Sequence, residues 1–485
     1  MYTFLLSLLA LVAGYFIYGR FIEHVFSPDD RPTPAVQKSD GVDFMVLPSW
    51  KIFMIQFLNI AGTGPIFGAI MGAKFGPAAY LWIVFGCIFA GAVHDYMMGM
   101  LSMRHGGVGL PELTGIYLGR RVKQASLVFS VVLLLLVGAV FVYSPAIILG
   151  GMTESMFSST DNSVFFWIII VFLYYVTATM LPIDKIIGRI YPLFAFSLIF
   201  MAVALGVYLV MKWPTLPELW DGLDSHNITS QPIFPCLFIT IACGAISGFH
   251  ATQSPLMARC VKSERQGRPI FYGAMITEGV IALIWATISS YFFFDGGAEA
   301  VGSNLKASAP QIVTVVSNSW LGTFGGILAL LGVVAAPITS GDTALRSTRL
   351  IIADFLHINQ RPIAKRLMIS LPIFLVTMLL LWFNLSKEES FNVIWSYFGW
   401  ANQTLAVVSL WIATVYLVKE RKPYILTLIP AVFMTMVTTT FLMIFKNAFA
   451  LPTLLSLCIG GAVTVIVTTI FCVWFVKQRY NNPPL

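Results

Sequence analysis

The chain has 485 residues, of which 58% are hydrophobic and only 11% are charged. Soluble globular domains carry about a quarter charged residues, so this composition excludes an ordinary soluble enzyme and indicates a helical membrane protein with many spans. The net charge of +7 does not indicate a nucleic-acid partner, because the basic residues fall between apolar segments. The six cysteines lie in or beside apolar segments without a CxxC pair, which indicates packing residues rather than disulfides or metal ligands.

Apolar segments of about 20 residues recur along the whole chain and predict about thirteen transmembrane helices in an all-α polytopic protein. The predicted spans are 2–22, 51–72, 78–103, 125–149, 163–182, 187–211, 232–250, 268–294, 318–345, 363–384, 391–418, 423–446 and 452–476. The first lacks a basic n-region and a small-residue cleavage site, so we expect a retained helix. Residues 106–119 are too few to span and predict an interfacial or re-entrant helix.

The basic residues predict the orientation of these spans. If the 20–51 loop is cytoplasmic and the spans alternate, 24 of the 29 Lys and Arg residues fall on the cytoplasmic side. Cytoplasmic loops of membrane proteins carry an excess of Lys and Arg. The bias therefore predicts that the N-terminus is outside and the C-terminus is in the cytoplasm.

The first candidate site is the sequence Ala61-Gly62-Thr63-Gly64-Pro65, in the middle of the span 51–72. Proline removes an N–H group and glycine frees the backbone, so we expect the helix to break there. A break in hydrocarbon is tolerated only where it lines a cavity or is buried in protein. We therefore predict that Gly62, Thr63 and Gly64 bind substrate, with the half-helix from Pro65 favouring an anion. The alternative is close helix packing by small residues.

The second candidate site interrupts the span 232–250. Gly244, Ser247, Gly248 and His250 follow a wholly apolar run, and we predict that they also bind substrate. A second half-helix N-terminus is expected near Thr252. For His250 alone, an interfacial histidine at a helix end is an equally good interpretation.

The two interrupted spans begin two sets of five spans, 51–211 and 232–418, with opposite predicted orientation. Residues 1–50 add a leading helix and a cytoplasmic loop, and 423–476 add two trailing helices. An inverted five-plus-five repeat with a broken first helix in each half is the LeuT/APC-like plan of secondary transporters, which bind substrate at mid-membrane.

Ionisable side chains inside the spans are candidates for ion coupling. Asp95, next to His94, needs a partner inside the membrane, for which Arg104 and His105 are candidates. Glu278 is the deepest acid and is a candidate proton carrier. A purely structural Asp95 is the alternative, and we weigh the two equally.

Oxygen-bearing side chains in the span 318–345 suit a cation. Thr339, Ser340 and Asp342, together with Ala61 of the first break, form a candidate Na+ site. Asp342 also lies one helical turn before Arg346, which favours an ion pair. In the span 391–418, Asn402 and Gln403 are buried amides that either line the cavity or bridge helices.

Motifs of other classes are absent from the sequence. There is no GxxxxGK[ST] phosphate loop, no HExxH or paired CxxC motif, and no TVGYG filter. We therefore expect no enzyme and no cofactor. The buried ionisable residues Glu278, Asp95 and His250 favour H+ as the coupling ion, and the hydroxyls around Ser340 leave Na+ as the alternative.

Several long motifs resemble the carbon starvation protein A (CstA) family. They are FLNIAGTGPIFGAIMGAKFG (57–76), GAVHDYMMGMLSMRHGG (91–107), PELTGIYLGRR (111–121), FITIACGAISGFHATQSP (238–255), ITSGDTALRSTRLIIAD (338–354) and FGWANQTLA (398–406). The resemblance implies a bacterial inner-membrane nutrient transporter, induced in carbon starvation, for short peptides or, in one branch, proton-coupled pyruvate uptake. It also implies the LeuT-type superfamily fold. Longer members continue into additional C-terminal sequence, on which their substrate range or partners could depend.

The leading hypothesis is a secondary active importer of a small molecule, driven by proton symport, with no nucleic-acid partner. A sodium-coupled amino-acid or solute symporter is the alternative. An intramembrane aspartyl protease using Asp95 and Asp342 is a rival, although neither residue has the surrounding motif that such enzymes show. A nutrient sensor without transport is the third hypothesis.

Overall fold

The computed structural model describes residues 1–41, 43–157, 159–180, 187–224, 226–303, 305, 307–360, 362–385 and 390–481. Within these residues the regular elements are all helices and no strand is found, which confirms the predicted all-α class. Helices satisfy their backbone hydrogen bonds internally, so long apolar segments adopt this conformation in a membrane.

The main helices follow the predicted apolar segments. They are α1 (Tyr2–Phe26), α2 (Pro34–Gln37), α3 (Ser49–Ile60), α4 (Gly64–Ala73), α5 (Ala78–Arg104), α6 (Leu110–Leu118), α7 (Arg120–Met152), α8 (Thr160–Met180), α9 (Ile187–Lys212), α10 (Ile233–Thr240), α11 (Gly248–Ala258), α12 (Glu264–Phe294), α13 (Ala309–Phe355), α14 (Ile363–Leu385), α15 (Ser390–Lys419), α16 (Ile425–Ile444) and α17 (Thr453–Asn481). The short α6 occupies the segment for which a helix too short to span was predicted.

The number of spans differs from the prediction of thirteen. Among the described residues, ten helices are long and apolar enough to cross a membrane, or eleven if the bent pair α3–α4 is one span. Two predicted spans are not included in this count. The span 232–250 contains α10, an irregular segment and the first residues of α11. The span 318–345 lies inside α13, which is kinked at Gly322.

The helices divide into central and peripheral ones. In the most apolar 18-residue stretch of each helix, 89% of α12 and 83% of α5 is buried. The buried share is only 28% in α1 and 22% in α17. Peripheral helices that expose apolar side chains suit contact with lipid. The central helices hold the polar residues of the candidate site.

The broken segments are packed inside the bundle. The half-helix α3 packs against α9, α11 and α12, and α11 packs against α5 and α15. The long helix α13 lies along α7 and α9. The breaks are therefore enclosed by protein, as unpaired backbone at this depth requires.

Candidate functional site

The first break separates α3 from α4 by a bend of 53°. Helical hydrogen bonding continues up to Ala61, whose N–H donates to the Phe57 carbonyl, and it resumes where the Phe67 N–H donates to the Thr63 carbonyl at 2.8 Å. Ala61 has a non-helical ψ of 54°. Pro65 lies in the first turn of α4, where its missing N–H is tolerated. The predicted break at residues 61–64 is confirmed.

The second break separates α10, which ends at Thr240, from α11, which begins at Gly248. Ser247 precedes α11 with extended backbone angles (φ −144°, ψ 120°). The half-helix therefore begins at Gly248, and the prediction of an N-terminus near Thr252 is wrong by about one turn. The extended Ser247 lies just outside α11, so the polar residues that follow Gly248 form the first turns of that helix.

The two breaks touch each other. A Cβ atom on Gly64 would lie 2.3 Å from the Cys243 Sγ, and one on Gly68 would lie 2.9 Å from the Thr240 carbonyl oxygen. A cavity of about 10 Å³ remains beside Gly64 and Cys243, close to the volume that one water needs. The glycines thus pack closely, as the packing alternative predicted, and they do so against the other break.

The buried amides of α15 satisfy backbone groups that the second break releases. The Asn402 Oδ1 accepts from the Phe249 N–H at 2.6 Å and from the Ser247 hydroxyl at 3.0 Å. The Gln403 amide donates to the Phe238 carbonyl at 3.0 Å. A broken helix leaves such groups unpaired at both new ends, so the pair Asn402 and Gln403 bridges α10, α11 and α15.

Replacing Asn402 with alanine should destabilise the second break. The Phe249 N–H and the Ser247 hydroxyl would lose their shared acceptor, and loss of such a cap costs about 1–2 kcal/mol of unfolding free energy. Thermal unfolding of the purified protein in detergent measures this. Asn402→Asp keeps the acceptor oxygen and is the matched control. Equal stability of Asn402→Ala and the wild type would contradict the capping role.

Four buried ionisable side chains form a chain between the broken helix α11 and its neighbours. The Asp95 Oδ1 lies 2.8 Å from the His94 Nδ1, and its Oδ2 lies 2.8 Å from the His250 Nδ1. The His250 Nε2 lies 3.4 Å from the Glu278 Oε2. All four side chains are fully buried. The structure therefore brings together the three predicted coupling residues and His250.

The partners proposed for Asp95 from the sequence are wrong. Arg104 instead donates to Glu264 and to the Tyr416 hydroxyl, and the His105 ring contacts the Tyr117 hydroxyl. Helix spacing separates residues 95 and 104, whereas α11 packs its histidine directly onto α5. Buried carboxylates need a partner, and the two histidines supply protons that can be shared.

The candidate Na+ residues separate into two groups. The Ser340 hydroxyl donates to the Leu58 carbonyl at 3.0 Å and lies beside Gly62, so it meets the first break. The Asp342 carboxylate accepts from the Tyr191 hydroxyl at 2.9 Å, toward α9. The Thr339 hydroxyl donates within its own helix, to the carbonyls of the preceding turn. Ser340 therefore lies at the first break, whereas Asp342 and the Thr339 carbonyl share the Tyr191 hydroxyl.

Two buried arginines on α13 were missed as site residues. Arg346 donates to the Ala178 carbonyl at 2.7 Å and lies 3.7 Å from the Asp43 carboxylate. Arg349 is 1% exposed, and none of its three side-chain nitrogens has a hydrogen-bond partner in the described part of the chain. From the sequence, Arg346 is a candidate only as a partner for Asp342, whose carboxylate accepts from the Tyr191 hydroxyl.

Ion pairs join the loops on the side predicted to be cytoplasmic. The Glu264 carboxylate accepts two hydrogen bonds from Arg104, each at 3.0 Å, and lies 3.7 Å from Arg31. Arg31 also donates to Asp29, which holds the pKa of that carboxyl well below its usual range. These contacts tie the loop after α1 to α5 and α12.

The structure defines a helical membrane protein with many apolar spans and two interrupted helices at its centre. The fold is similar to that of a manganese transporter of Eremococcus coleocola, with a TM-score of 0.58 at 11% sequence identity over 91% of this chain and 99% of that one. At this identity the likeness concerns the fold alone.

Sequence comparison identifies the family. The model of the family "Carbon starvation protein CstA" matches residues 1–160, 142–324 and 303–441, so the chain belongs to the CstA family. It is 26% identical to the peptide transporter CstA of Bacillus subtilis over 88% of this chain and 87% of that protein. It is 48% identical to an uncharacterized membrane protein of Haemophilus influenzae, over 60% of this chain and 91% of that protein. The predicted family resemblance is confirmed.

Proposed function

We propose that the protein is a proton-coupled importer of a short peptide or a small carboxylate such as pyruvate, working by alternating access around the two broken helices. The observation that carries this proposal is the contact of the two breaks at the buried centre, beside the chain of Asp95, His250 and Glu278. Relatives that are named peptide transporters support the substrate class.

A carboxylate is the chemical group that both candidate substrates share. The half-helices α4 and α11 begin at Gly64 and Gly248, so the positive ends of their helix dipoles lie at the two breaks, which favours an anion. In the proposed cycle the breaks separate to admit the solute and close behind it. We propose that the two halves that move are those of a LeuT/APC-like inverted repeat.

The coupling proton is proposed to move on the His94, Asp95, His250 and Glu278 chain. Each member contacts the next, and α11 carries His250 next to its own break. A change at the break therefore alters the contacts of a titratable group, which is the condition for coupling. Sodium remains the alternative ion, supported by the Ser340 hydroxyl beside the first break.

The proposal is tested by uptake into proteoliposomes. With an inward proton gradient, labelled dipeptide or pyruvate should accumulate above its external concentration, and a proton ionophore should abolish the accumulation. A sodium gradient at equal pH is the comparison. Accumulation driven by the sodium gradient alone would show that Na+, not H+, is the coupling ion. If neither gradient drives uptake of either solute, the proposed function is contradicted.

Glu278→Gln should remove the pH dependence of uptake. Glutamine keeps the shape of the side chain but cannot release a proton, so a carrier role for Glu278 requires the rate to become flat across the pH range in which the wild type varies. Initial uptake rates from pH 5 to pH 8 measure this. Glu299→Gln, at an exposed acid, is the control. A wild-type pH profile in Glu278→Gln would exclude the carrier role.

Arg349→Met should raise thermal stability while lowering uptake at least tenfold. A buried guanidinium without hydrogen bonds costs several kcal/mol, so an apolar side chain of similar length relieves a penalty. A role in binding the substrate carboxylate during the transport cycle would explain why the protein keeps the Arg349 guanidinium despite this cost. Melting temperature and uptake are measured on the same preparation. Higher stability with unchanged uptake would remove Arg349 from the transport path.

A further inference from the structure

Three side chains with different ligand atoms converge next to the second break. Cys243 lies in the irregular segment before α11, His250 lies in α11, and Glu278 lies in α12. One ligand atom from each lies within 4.8 Å of the others, and all three residues are buried. The set combines sulfur, nitrogen and oxygen donors.

The atoms that face this point are unsatisfied. The His250 Nε2 and both carboxylate oxygens of Glu278 have no hydrogen-bond partner within the described ranges. The Nε2 and Oε2 atoms are 3.4 Å apart without hydrogen-bond geometry. The contacts of the Cys243 Sγ with Ser247 and Asn402 are long, at 3.6 Å each. Buried polar atoms normally have a bonding partner. The unpaired atoms of His250 and Glu278 therefore indicate that a small positively charged ligand is missing between these side chains.

Asp95 orients the His250 ring so that its Nε2 atom can bind a positively charged ligand. The Asp95 Oδ2 lies 2.8 Å from the His250 Nδ1, and the other oxygen is held by His94. A carboxylate that accepts from Nδ1–H fixes the tautomer with the lone pair on Nε2. Histidine ligands of metals almost always have this kind of support.

We propose that Cys243, His250 and Glu278 form a binding site for a transition-metal ion of the zinc type. Bonds of about 2.0–2.3 Å in a tetrahedron place ligand atoms about 3.3–3.7 Å apart, so the 3.4 Å pair already fits and the sulfur must approach by about 1 Å. A thiolate favours zinc over magnesium or calcium. One thiolate and one carboxylate neutralise a divalent ion, which makes the buried set uncharged.

The site adds to the transport mechanism without depending on the identity of the solute. A metal ion and the coupling proton would use the same atoms of His250 and Glu278, so each excludes the other. Metal affinity should therefore fall as the pH is lowered, because the ligands must be deprotonated. The sequence predicts a packing role for Cys243, because it lies in an apolar segment and belongs to no CxxC pair.

The purified full-length protein is titrated with Co2+, a spectroscopic probe for tetrahedral zinc sites. We expect one equivalent to bind with a thiolate-to-cobalt charge-transfer band, and Zn2+ to displace it. Cys243→Ser should abolish the band, and Glu278→Gln should weaken binding at least tenfold. Cys236→Ser, at another buried cysteine, is the matched control and should bind as the wild type.

X-ray absorption of the zinc-loaded wild type gives a second readout that needs no variant. One sulfur and two or three nitrogen or oxygen neighbours are expected. Absence of a bound equivalent, a zinc shell without sulfur, or an unchanged cobalt band in Cys243→Ser would each overturn the proposal. None of these measurements involves transport, so they are independent of the proposed importer activity.

Discussion

Gly248→Leu should abolish uptake while the protein still inserts into the membrane. A Cβ atom at this position would lie 2.4 Å from the Ala406 nitrogen and 2.4 Å from the Asn402 carbonyl oxygen. Both are backbone atoms of α15, so the clash cannot be relieved by turning a side chain. Overpacking of this kind costs about 1–3 kcal/mol or more, and here it forces α11 away from the helix that caps it. We expect uptake to fall at least tenfold.

Uptake by Gly248→Leu is compared with its abundance in the membrane fraction. Gly461→Leu, on the peripheral helix α17, is the matched control, because nothing lies within 4 Å of a Cβ atom there. The control should transport as the wild type. Normal uptake by Gly248→Leu at equal abundance would remove the second break from the transport path.

Asp95→Asn should uncouple transport from the proton gradient. Asp95 contacts both His94 and His250 through its two carboxylate oxygens, and all three side chains are fully buried. Removing one charge from a buried ion pair costs about 3–5 kcal/mol. If this pair sets the balance between two states of the transport cycle, that balance changes by about 100-fold or more. Asparagine preserves the volume of the side chain. We therefore expect accumulation to be lost, while the exchange of internal for external solute persists.

Measuring both accumulation and exchange distinguishes a variant that has lost coupling from one that has lost its fold. A misfolded variant loses both activities, whereas an uncoupled one keeps exchange. Asp161→Asn, at an exposed acid near the start of α8, is the control and should keep both. Wild-type accumulation by Asp95→Asn would exclude the buried chain from coupling.

The broken helices were predictable because their cause is local. Glycine and proline in the middle of an apolar span conflict with a continuous helix whatever surrounds them. The sequence Gly62 to Pro65 therefore indicated the first break within a residue or two. The start of α11 was less well placed, since the polar residues after Gly248 suggested a later N-terminus than the one that the extended Ser247 produces.

The partners of the site residues depend on packing between distant segments. Asp95 and His250 are 155 positions apart, and the nearby Arg104 was the natural candidate from spacing alone. A signal did exist, because Asp95 and Glu278 lie on corresponding helices that follow the two breaks. That correspondence would place both near one centre. The capping role of Asn402 had no such signal, since it depends on where α15 crosses α11.

The central claim is that the two breaks hold the transported solute between them. The most direct measurement is an electron cryomicroscopy map of the full-length protein with a saturating concentration of the solute that the uptake assay identifies. We predict density for its carboxylate between residues 61–64 and 241–248, with the breaks moved apart. Density for the solute elsewhere, with Gly64 still packed on Cys243, would contradict the account.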